Sequence, residues 1–509
     1  MPCCLAEILF VFTRTTRDKN AHTGNTLATQ YQLDTPNMPR KTQSMTNQEL
    51  PDNGHRGTFL GEIGGASVTI GFAAAITMWM IAWFLHMPGV HVPSTIAVPI
   101  LLVPLLAIGV LWLPRVTRKN RIKAGALSGF IAGLINLLIL GSNIVIQPET
   151  TAEMSEHANT LAPNAAMVVI GSLILSIIVG VIAGAITRNN SSATTLPATT
   201  WRSRFAWVTA LTYLPLIAVG GAVTSTDSGL AVPDAVTTYG AISVLFPLEL
   251  MAEPRIFLEH SHRLFGTLAG LATLVLMIRV LVGEPRKLPK VLAVILFLAV
   301  SLQGYWGIIR VAEESTFFAI LHGIFAQLVF AGALSTAIIL SDAWTNADPA
   351  QETVIAAKRA RTAMLLTFIA LVIQLGLGAV TRHLNSGHAM MSHMGFSFIA
   401  MMLVIVGGAL CIRTGKAHPS GQPVRPFGSI LHGLVVLQFA LGFAVLGMAW
   451  EGDDAPALPT AQNLADAPPI ETSAALITTA HHIIGALVLA GAAGALVWTI
   501  RLASKRQTR

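Results

Sequence analysis

Four histidines in this 509-residue sequence lie in apolar segments where a charged side chain is costly: His262, His322, His393 and His481. Each lies in the early turns of a predicted helix that enters a membrane from its outer side. Ionisable residues inside a membrane usually have a function. Neutral imidazole binds iron, and two histidines on facing helices can hold a haem in a helical bundle. The pattern predicts two bis-histidine haem sites, with scattered hydrogen-bonded core histidines as the alternative.

A short spacing repeats around these histidines. A glutamine is followed by a glycine at +4 and a histidine at +19 in two places: Gln303, Gly307 and His322, then Gln374, Gly378 and His393. Gln438 and Gly442 repeat the first two positions ahead of His481. The repeat predicts two four-helix bundles, residues 205–341 with the first histidine pair and residues 363–500 with the second. A glycine at these positions lets either a flat macrocycle or another helix approach closely.

One carboxylate accompanies the first histidine pair. Glu259 precedes His262 by three residues, so the two side chains share one face of a helix. In that place a carboxylate can move a proton or stabilise a developing positive charge. A helix-start acid, or a salt bridge to Arg263, is the structural alternative. No equivalent acid precedes His393 or His481, which predicts that one bundle reacts while the other only holds a cofactor.

The predicted outer loops contain few basic residues, and each lies within twelve residues of one of the four histidines: Arg255, Arg310 and Arg382. Haem carries propionate groups, and a guanidinium pairs with a carboxylate through two parallel hydrogen bonds. These arginines are therefore predicted to bind haem propionates. Pairing with local acids such as Glu313 and Glu314 is the alternative.

Other histidines in or near the predicted spans carry less weight, because they point elsewhere or lie near a helix end: His260, His383, His388, His432 and His482. His260 points away from His262 around the helix. His482 competes with its neighbour His481 for the same site, and helix geometry leaves that choice open.

The elements that position these residues are predicted to be membrane-spanning helices. The chain is 53% apolar and 11% charged, with a mean hydropathy of +0.65, whereas a soluble domain is about a quarter charged. This composition excludes a soluble enzyme, a disordered chain and a nucleic-acid binder. Twelve stretches are long and apolar enough to cross a bilayer: 66–87, 94–114, 124–147, 165–187, 205–223, 259–283, 291–309, 317–341, 363–381, 389–412, 428–450 and 473–500.

Charge alternates between successive loops. Segment 115–123 has five basic residues and no acid, whereas segment 148–164 has three acids and no base. The alternation continues to an acidic segment at 451–472 and a basic one at 501–509. By the positive-inside rule both termini are cytoplasmic, as in an integral protein of a bacterial-type cytoplasmic membrane.

These patterns predict an all-α polytopic membrane protein in which two pseudo-repeated, haem-binding four-helix bundles follow an extra four-helix unit. The predicted order is a disordered cytoplasmic tail at 1–65, the four-helix unit at 66–187, a linker rich in Ser, Thr and Asn at 188–204, and the bundles at 205–341 and 363–500.

Segments in both halves of the chain resemble the haem A synthase family of bacteria and mitochondria. The similar segments are GGAVTSTDSGLAVPD at 220–234, EHSHRLFGTLAGL at 259–271, LQGYWGIIRV at 302–311, IQLGLGAVTRH at 373–383 and TAHHIIGALVLA at 479–490. The family's last histidine stands four residues before Gly-Ala, which selects His481 over His482. The resemblance covers about 205–500 and does not extend to the first four spans.

The resemblance implies an oxidoreductase that oxidises the C8 methyl group of haem O to the formyl group of haem A. It does so by two successive hydroxylations followed by loss of water. It also implies that His393 and His481 hold a haem b, that His262 and His322 bind substrate or product haem, and that Glu259 is the catalytic carboxylate.

The family's Glu-x-x-His-Arg element places Arg263 next to His262 and adds it to the predicted haem contacts. Haem O synthase and the assembly machinery of terminal oxidases are the implied partners. The electron donor and the presence of a homo-oligomer stay open, and no nucleic acid is expected.

Two other classes of protein share some of these features. A two-haem b-type electron-transfer or haem-carrying protein without oxygenase activity needs the same histidines, but it has no need for Glu259 in one bundle only. A secondary transporter also suits twelve spans with an internal repeat. The helices around this repeat, however, lack paired broken segments at the middle of the membrane.

Overall fold

The predicted membrane spans are helices in the computed structural model, which describes residues 61–90, 92–147, 159–188, 194–384, 386–449 and 458–504. Within these ranges the chain is all-helical, without a named strand, and twelve helices are long and apolar enough to cross a membrane. The predicted all-α, integral membrane fold is confirmed. We number the helices α1 Glu62–Leu85, α2 Ser94–Trp112, α3 Arg121–Leu140, α4 Ala165–Thr187, α5 Ala198–Ser225, α6 Pro254–Gly283, α7 Lys287–Ala312, α8 Thr316–Leu340, α9 Gln351–Leu384, α10 Gly387–Ala417, α11 Arg425–Ala449 and α12 Thr472–Leu502.

Several helices are longer than the apolar stretches that predicted them. Helix α9 begins at Gln351 instead of 363, because a polar and basic extension continues the helix beyond the apolar segment. Helix α5 begins at Ala198, inside the predicted linker, and α1 begins at Glu62, inside the predicted tail. Residues 1–60 of that tail lie outside the described residues.

Three of the four helices that carry candidate histidines begin at a side-chain cap. The side chains of Glu253, Ser315 and Ser386 each accept a hydrogen bond from a backbone N–H in the first turn of α6, α8 and α10. Such caps satisfy N–H groups that have no partner inside the helix. They fix where each helix begins, and therefore the depth of its histidine.

The last eight helices form two four-helix bundles. Helices α5 to α8 contact one another in a closed ring, and helices α9 to α12 form a second ring. Helices α8 and α12 pack together between the bundles, and α12 also packs against α5. The largest hydrophobic core joins α5 to α8 with α12, and it includes the fully buried Leu268 and Ala272 of α6.

Glycines hold together two helices of the preceding four-helix unit. Gly125 and Gly129 on α3 lie so close to Ser176 and Gly180 on α4 that an added Cβ would overlap the opposite backbone. Small residues four apart allow this close approach between membrane helices. Helices α3 and α4 are therefore in direct backbone contact at these residues.

Helix α1 connects this unit to the first bundle through aromatic side chains. The ring of Phe72 meets that of Phe205 on α5 at a centroid distance of 5.2 Å, and Trp79 meets Phe265 on α6 at 5.8 Å, both edge to face. These α1 residues belong to the same hydrophobic core as α5 to α8.

The long connection between α5 and α6, residues 226–253, also lies against the first unit, and we name it the α5–α6 loop. The backbone N–H of Ile242 donates to the side-chain oxygen of Asn159 at 2.8 Å. Gly141, just after α3, lies so close to Val244 that a Cβ there would overlap the Val244 carbonyl oxygen. The first unit therefore contacts the connection that precedes Glu259.

Candidate functional site

The four candidate histidines meet in two pairs, one inside each bundle. The rings of His262 and His322 have centroids 6.3 Å apart and planes at 76°. The rings of His393 and His481 have centroids 6.5 Å apart and planes at 73°. The two pairs therefore have nearly the same geometry.

Each pair has the dimensions for one metal ion between two imidazoles. A metal ion between two imidazoles adds two metal–nitrogen bonds of roughly 2 Å each to the distance from each nitrogen to its ring centre. The total is close to the distance between the ring centroids in each pair. No group of three or more His, Cys, Asp or Glu side chains suited to a metal occurs among the described residues, so each pair offers two ligands. A haem brings its own equatorial nitrogens and needs only axial ligands. This donor set fits a haem in either bundle.

A glycine on the preceding helix lies behind every one of the four rings: Gly220 behind His262, Gly307 behind His322, Gly378 behind His393 and Gly442 behind His481. A Cβ on these glycines would stand between 2.8 and 3.3 Å from the ring Cε1 atom. The glycines therefore make room for the imidazole itself. The sequence had predicted room for a macrocycle or for another helix.

Two of the histidines are oriented by a backbone carbonyl. Nδ1–H of His322 donates to the carbonyl of Gln303 at 3.1 Å, and Nδ1–H of His393 donates to the carbonyl of Gln374 at 3.2 Å. In return, each glutamine amide donates to the backbone carbonyl of its histidine at 2.9 Å. This leaves Nε2 as the nitrogen for a metal, the usual arrangement of a histidine ligand and its supporting carbonyl.

Glu259 is buried beside the first pair, with 3% of its surface exposed. Its Oε1 accepts a hydrogen bond from Nε of Arg263 at 3.0 Å, and Nη1 of Arg263 donates to the carbonyls of Asp234 and Thr237 at 2.7 Å each. The salt bridge considered from the sequence is thus present. Oε2 of Glu259 and Nη2 of Arg263 have no hydrogen-bond partner in the described part of the chain. Glu259 and Arg263 therefore each have one buried polar atom that could contact a bound group.

Two of the outer arginines bond to loop residues at the ends of the bundles. Arg255 is buried and donates to the carbonyls of Thr226 and Pro468, the second bond at 2.7 Å. Arg382 forms an ion pair with Asp227 at 2.5 Å. Both arginines therefore hold loops together at the end of the bundles where the histidines lie.

Arg310 differs from these two arginines. Among the described residues, no hydrogen bond or ion pair links its guanidinium to another side chain or to the backbone. The guanidinium lies against Gly229, where a Cβ would overlap it, and it is within electrostatic range of both His262 and His322. Its charge is thus available beside the first histidine pair.

The segment with this geometry matches a known family. Residues 203–399 match the family model of COX15-CtaA, a cytochrome oxidase assembly protein. The predicted haem A synthase family is confirmed for this segment. The COX15-CtaA match runs from α5 into α10 and includes Glu259 and three of the four histidines, whereas His481 lies beyond it. No curated protein matches the chain closely enough to count as a relative.

His482 lies beyond the matched segment, and its ring does not point in the same direction as that of His481. The ring of His481 faces His393. Cδ2 of His482 instead lies 3.2 Å from the position a Cβ would take on Gly221 of α5. The two adjacent histidines therefore point to different bundles.

Two further histidines contact other groups away from the pairs. His260, within the COX15-CtaA segment, is fully buried against Phe246 at a ring distance of 5.0 Å, and its Nδ1 lies 3.4 Å from the Thr238 hydroxyl. His432 donates from Nε2 to the carbonyl of Ile405 at 2.9 Å.

The sequence analysis missed some residues of this site. Gly220 was missed because Leu216, and not a glutamine, stands four residues before it. Asp234 and Thr237 hold Arg263 through backbone carbonyls, and such contacts leave no residue-type signal. The adjacent glycines Gly220 and Gly221, which seat His262 and His482, were the one available signal.

Proposed function

We propose that this protein is a haem A synthase, which oxidises the C8 methyl group of haem O to the formyl group of haem A for terminal oxidases. A role in cytochrome oxidase assembly follows from the family of residues 203–399. One observation carries the finer proposal. Of two histidine pairs with nearly equal geometry, only the first has, among the described residues, a buried carboxylate with a free oxygen beside it.

In this proposal the second bundle holds a resident cofactor. His393 and His481 would hold a haem b, which when bound would supply a redox-active iron that can pass electrons. Gln374 fixes the tautomer of His393 through its carbonyl, so that Nε2 is ready to bind before the haem arrives.

The first bundle receives the substrate. His262 and His322 bind haem O and release haem A. Arg310 is the first candidate for a propionate, because its guanidinium has no described partner and fits a carboxylate. Arg255, Arg263 and Arg382 are further predicted propionate contacts, although each already bonds to protein groups.

Glu259 is proposed as the catalytic carboxylate. Arg263 fixes Oε1, and the loop carbonyls fix Arg263 in turn, so Oε2 has a defined position. A positioned carboxylate can accept a proton, or stabilise positive charge that develops at the methyl group during oxidation. Electrons and oxidant come from partners outside the chain, and haem O comes from haem O synthase.

The competing function is a two-haem carrier that uses the same histidines. Pigment extraction from cells that co-express a haem O-producing enzyme tests the two. The wild type should convert haem O to haem A. Glu259→Gln should retain haem b but lose roughly 10²–10⁴-fold of the conversion, accumulating haem O or its hydroxylated intermediate. Glu313→Gln, the same change at an exposed acid, should convert normally. Absence of haem A in the wild type would favour the carrier, whereas normal haem A in Glu259→Gln would contradict a catalytic role of Glu259.

The orientation in a bacterial-type cytoplasmic membrane is likewise proposed from loop charge. Both termini face the cytoplasm, and loop 451–472 faces the other side. Reporter fusions at residue 509 and within 451–472 should report opposite compartments, and the same compartment for both would contradict this orientation.

A further inference from the structure

A small pocket lies far from the histidine pairs, where the first four-helix unit meets the first bundle. Its volume is about 220 Å³, and the start of α1, the start of α5 and the end of α6 line it. The polar side chains in its wall are Thr199, Arg202 and Arg279. We name it the α1–α5–α6 pocket. It is at the helix ends that the positive-inside rule assigns to the cytoplasmic leaflet.

Arg279 is a buried cation without a matching anion. Only 2% of its surface is exposed, and its Nε has no hydrogen-bond partner in the described part of the chain. Its one hydrogen bond is a long contact of 3.4 Å from Nη1 to the Gly65 carbonyl, and the guanidinium lies 5.2 Å from the ring centre of Phe205. An uncompensated buried charge is costly, so this arrangement indicates that an anion belongs beside it.

A carboxylate close to the pocket-lining Arg202 already pairs with two arginines. Glu284 pairs with Arg202 at 2.8 Å and with Arg286 at 2.6 Å. Burial alone would raise the pKa of Glu284, but the hydrogen bonds from Arg286 and the charges of both arginines hold that pKa below its usual value. The carboxylate is therefore ionised and shared by Arg202 and Arg286, and the structure shows no ion pair between it and Arg279.

The start of a helix adds to this positive charge. Helix α5 is 28 residues long, and its first two residues, Ala198 and Thr199, line the pocket. The free N–H groups and the dipole at a helix N-terminus favour an anion. An unpaired buried guanidinium and a helix N-terminus thus meet at one small cavity.

We infer that the α1–α5–α6 pocket binds the phosphate group of an anionic phospholipid. Basic pockets between membrane helices on the cytoplasmic side are suited to acidic headgroups, and this pocket lies at the ends of three spans. Free phosphate has the same chemistry and is the other source to be distinguished. The inference does not depend on the proposed haem chemistry, since it uses none of the residues of the histidine pairs.

Native mass spectrometry of the full chain in detergent tests the inference. Dioleoyl phosphatidylglycerol should remain bound to the wild type more tightly than dioleoyl phosphatidylcholine. Arg279→Gln should weaken phosphatidylglycerol binding about fivefold to tenfold, as expected for the loss of one cation beside a lipid phosphate. The control Arg359→Gln changes an exposed arginine on α9 and should bind like the wild type. Equal binding by wild type and Arg279→Gln would overturn the inference.

Two further measurements complete the test. Inorganic phosphate is added to lipid-free protein during thermal unfolding, and stabilisation that Arg279→Gln loses would name free phosphate as the ligand of the same site. If Arg279→Gln does not fold, Thr199→Glu replaces it. Thr199 is exposed, and a carboxylate there should occupy the pocket, keep the fold and exclude phosphatidylglycerol. Unchanged lipid binding in Thr199→Glu would overturn the inference as well.

Discussion

The two histidine pairs are alike in geometry and different in what surrounds them. Ring separations differ by only a fraction of an ångström between the His262–His322 and His393–His481 pairs. Every ring is seated against a glycine of the preceding helix. In the part of the chain that the structure describes, only the first pair has a buried ion pair beside it, between Glu259 and Arg263.

In the proposed function, this difference separates cofactor binding from reaction. A glycine on one helix and a histidine on the next are enough to repeat a histidine position, and the described part of the chain does so four times. The proposed reaction needs a further group, and among the described residues that group lies beside the first pair. The α5–α6 loop supplies the carbonyls that fix Arg263, and the second bundle has no counterpart to that contact among the described residues.

The largest expected effect is on the second pair itself. His393→Ala and His481→Ala should each abolish the reduced-minus-oxidised spectrum of a low-spin haem b, because one axial ligand is lost. His482→Ala is the matched control, since its ring contacts Gly221 instead of facing His393. A spectrum lost in His482→Ala but kept in His481→Ala would reverse the assignment. His432→Ala should also keep the spectrum.

Alanine in place of a glycine that lies behind a histidine ring should affect only the haem site of that bundle. In Gly378→Ala the new Cβ would stand 2.9 Å from Cε1 of His393, so haem b affinity should fall about 10–100-fold, as when a group that orients a ligand is lost. Gly307→Ala displaces His322 in the same way and should reduce haem A formation while haem b remains.

Gly376→Ala is the control for both glycine variants, because a Cβ there meets no atom within 4 Å. Haem titration followed by absorbance measures the affinity. Equal loss of haem b in Gly307→Ala and Gly378→Ala would show that the bundles do not act separately.

The contact between the first unit and the α5–α6 loop should matter less. Gly141→Ala forces Val244 away and should cost about 1–3 kcal/mol of unfolding free energy, as overpacking does. Haem A formation should fall with it, because the loop fixes Arg263. Gly171→Ala, a site with open space around it, should unfold at the wild-type temperature in a thermal scan. Wild-type behaviour of Gly141→Ala would contradict this coupling.

The smallest effect is expected at the ion pair that joins the bundles. Arg382 and Asp227 have side chains 38% and 39% exposed, and solvent screens such a pair. Arg382→Gln should therefore cost only about 0.2–1 kcal/mol, and the loss should shrink in high salt. Thermal unfolding at two salt concentrations measures it, and a large, salt-independent loss would indicate a role in haem binding instead.

The sequence predicted the helices well, and it predicted which histidines lie together, for physical reasons. A bilayer requires about 20 apolar residues per span, so hydropathy alone located all twelve helices. Polar residues are rare in such helices and therefore easy to recognise. For this reason His262 could be paired with His322, and His481 with His393. The spacing of Gln374 and His393 corresponds to two reciprocal hydrogen bonds between adjacent helices, each from a side chain to a backbone carbonyl.

Contacts between distant segments were not predictable in the same way. The first unit docks through Phe72 and Trp79, which look like ordinary lipid-facing residues in the sequence. Arg255, which stays a predicted propionate contact, also donates to a carbonyl of Pro468, and nothing in the sequence indicated that bond. Contacts to backbone carbonyls and contacts that depend on shape do not require a particular residue type, so they can be seen only in the structure.

The position of α12 has a consequence for how the protein is made. This helix carries His481 and packs against α5 and α8 as well as against its own bundle. It follows the other eleven described spans in the chain, and chains fold from the N-terminus during synthesis. The first histidine pair can thus form before α12 has been made, whereas the second pair and the contact between the bundles must wait for α12. The second bundle can therefore be loaded only after the first bundle has been synthesised.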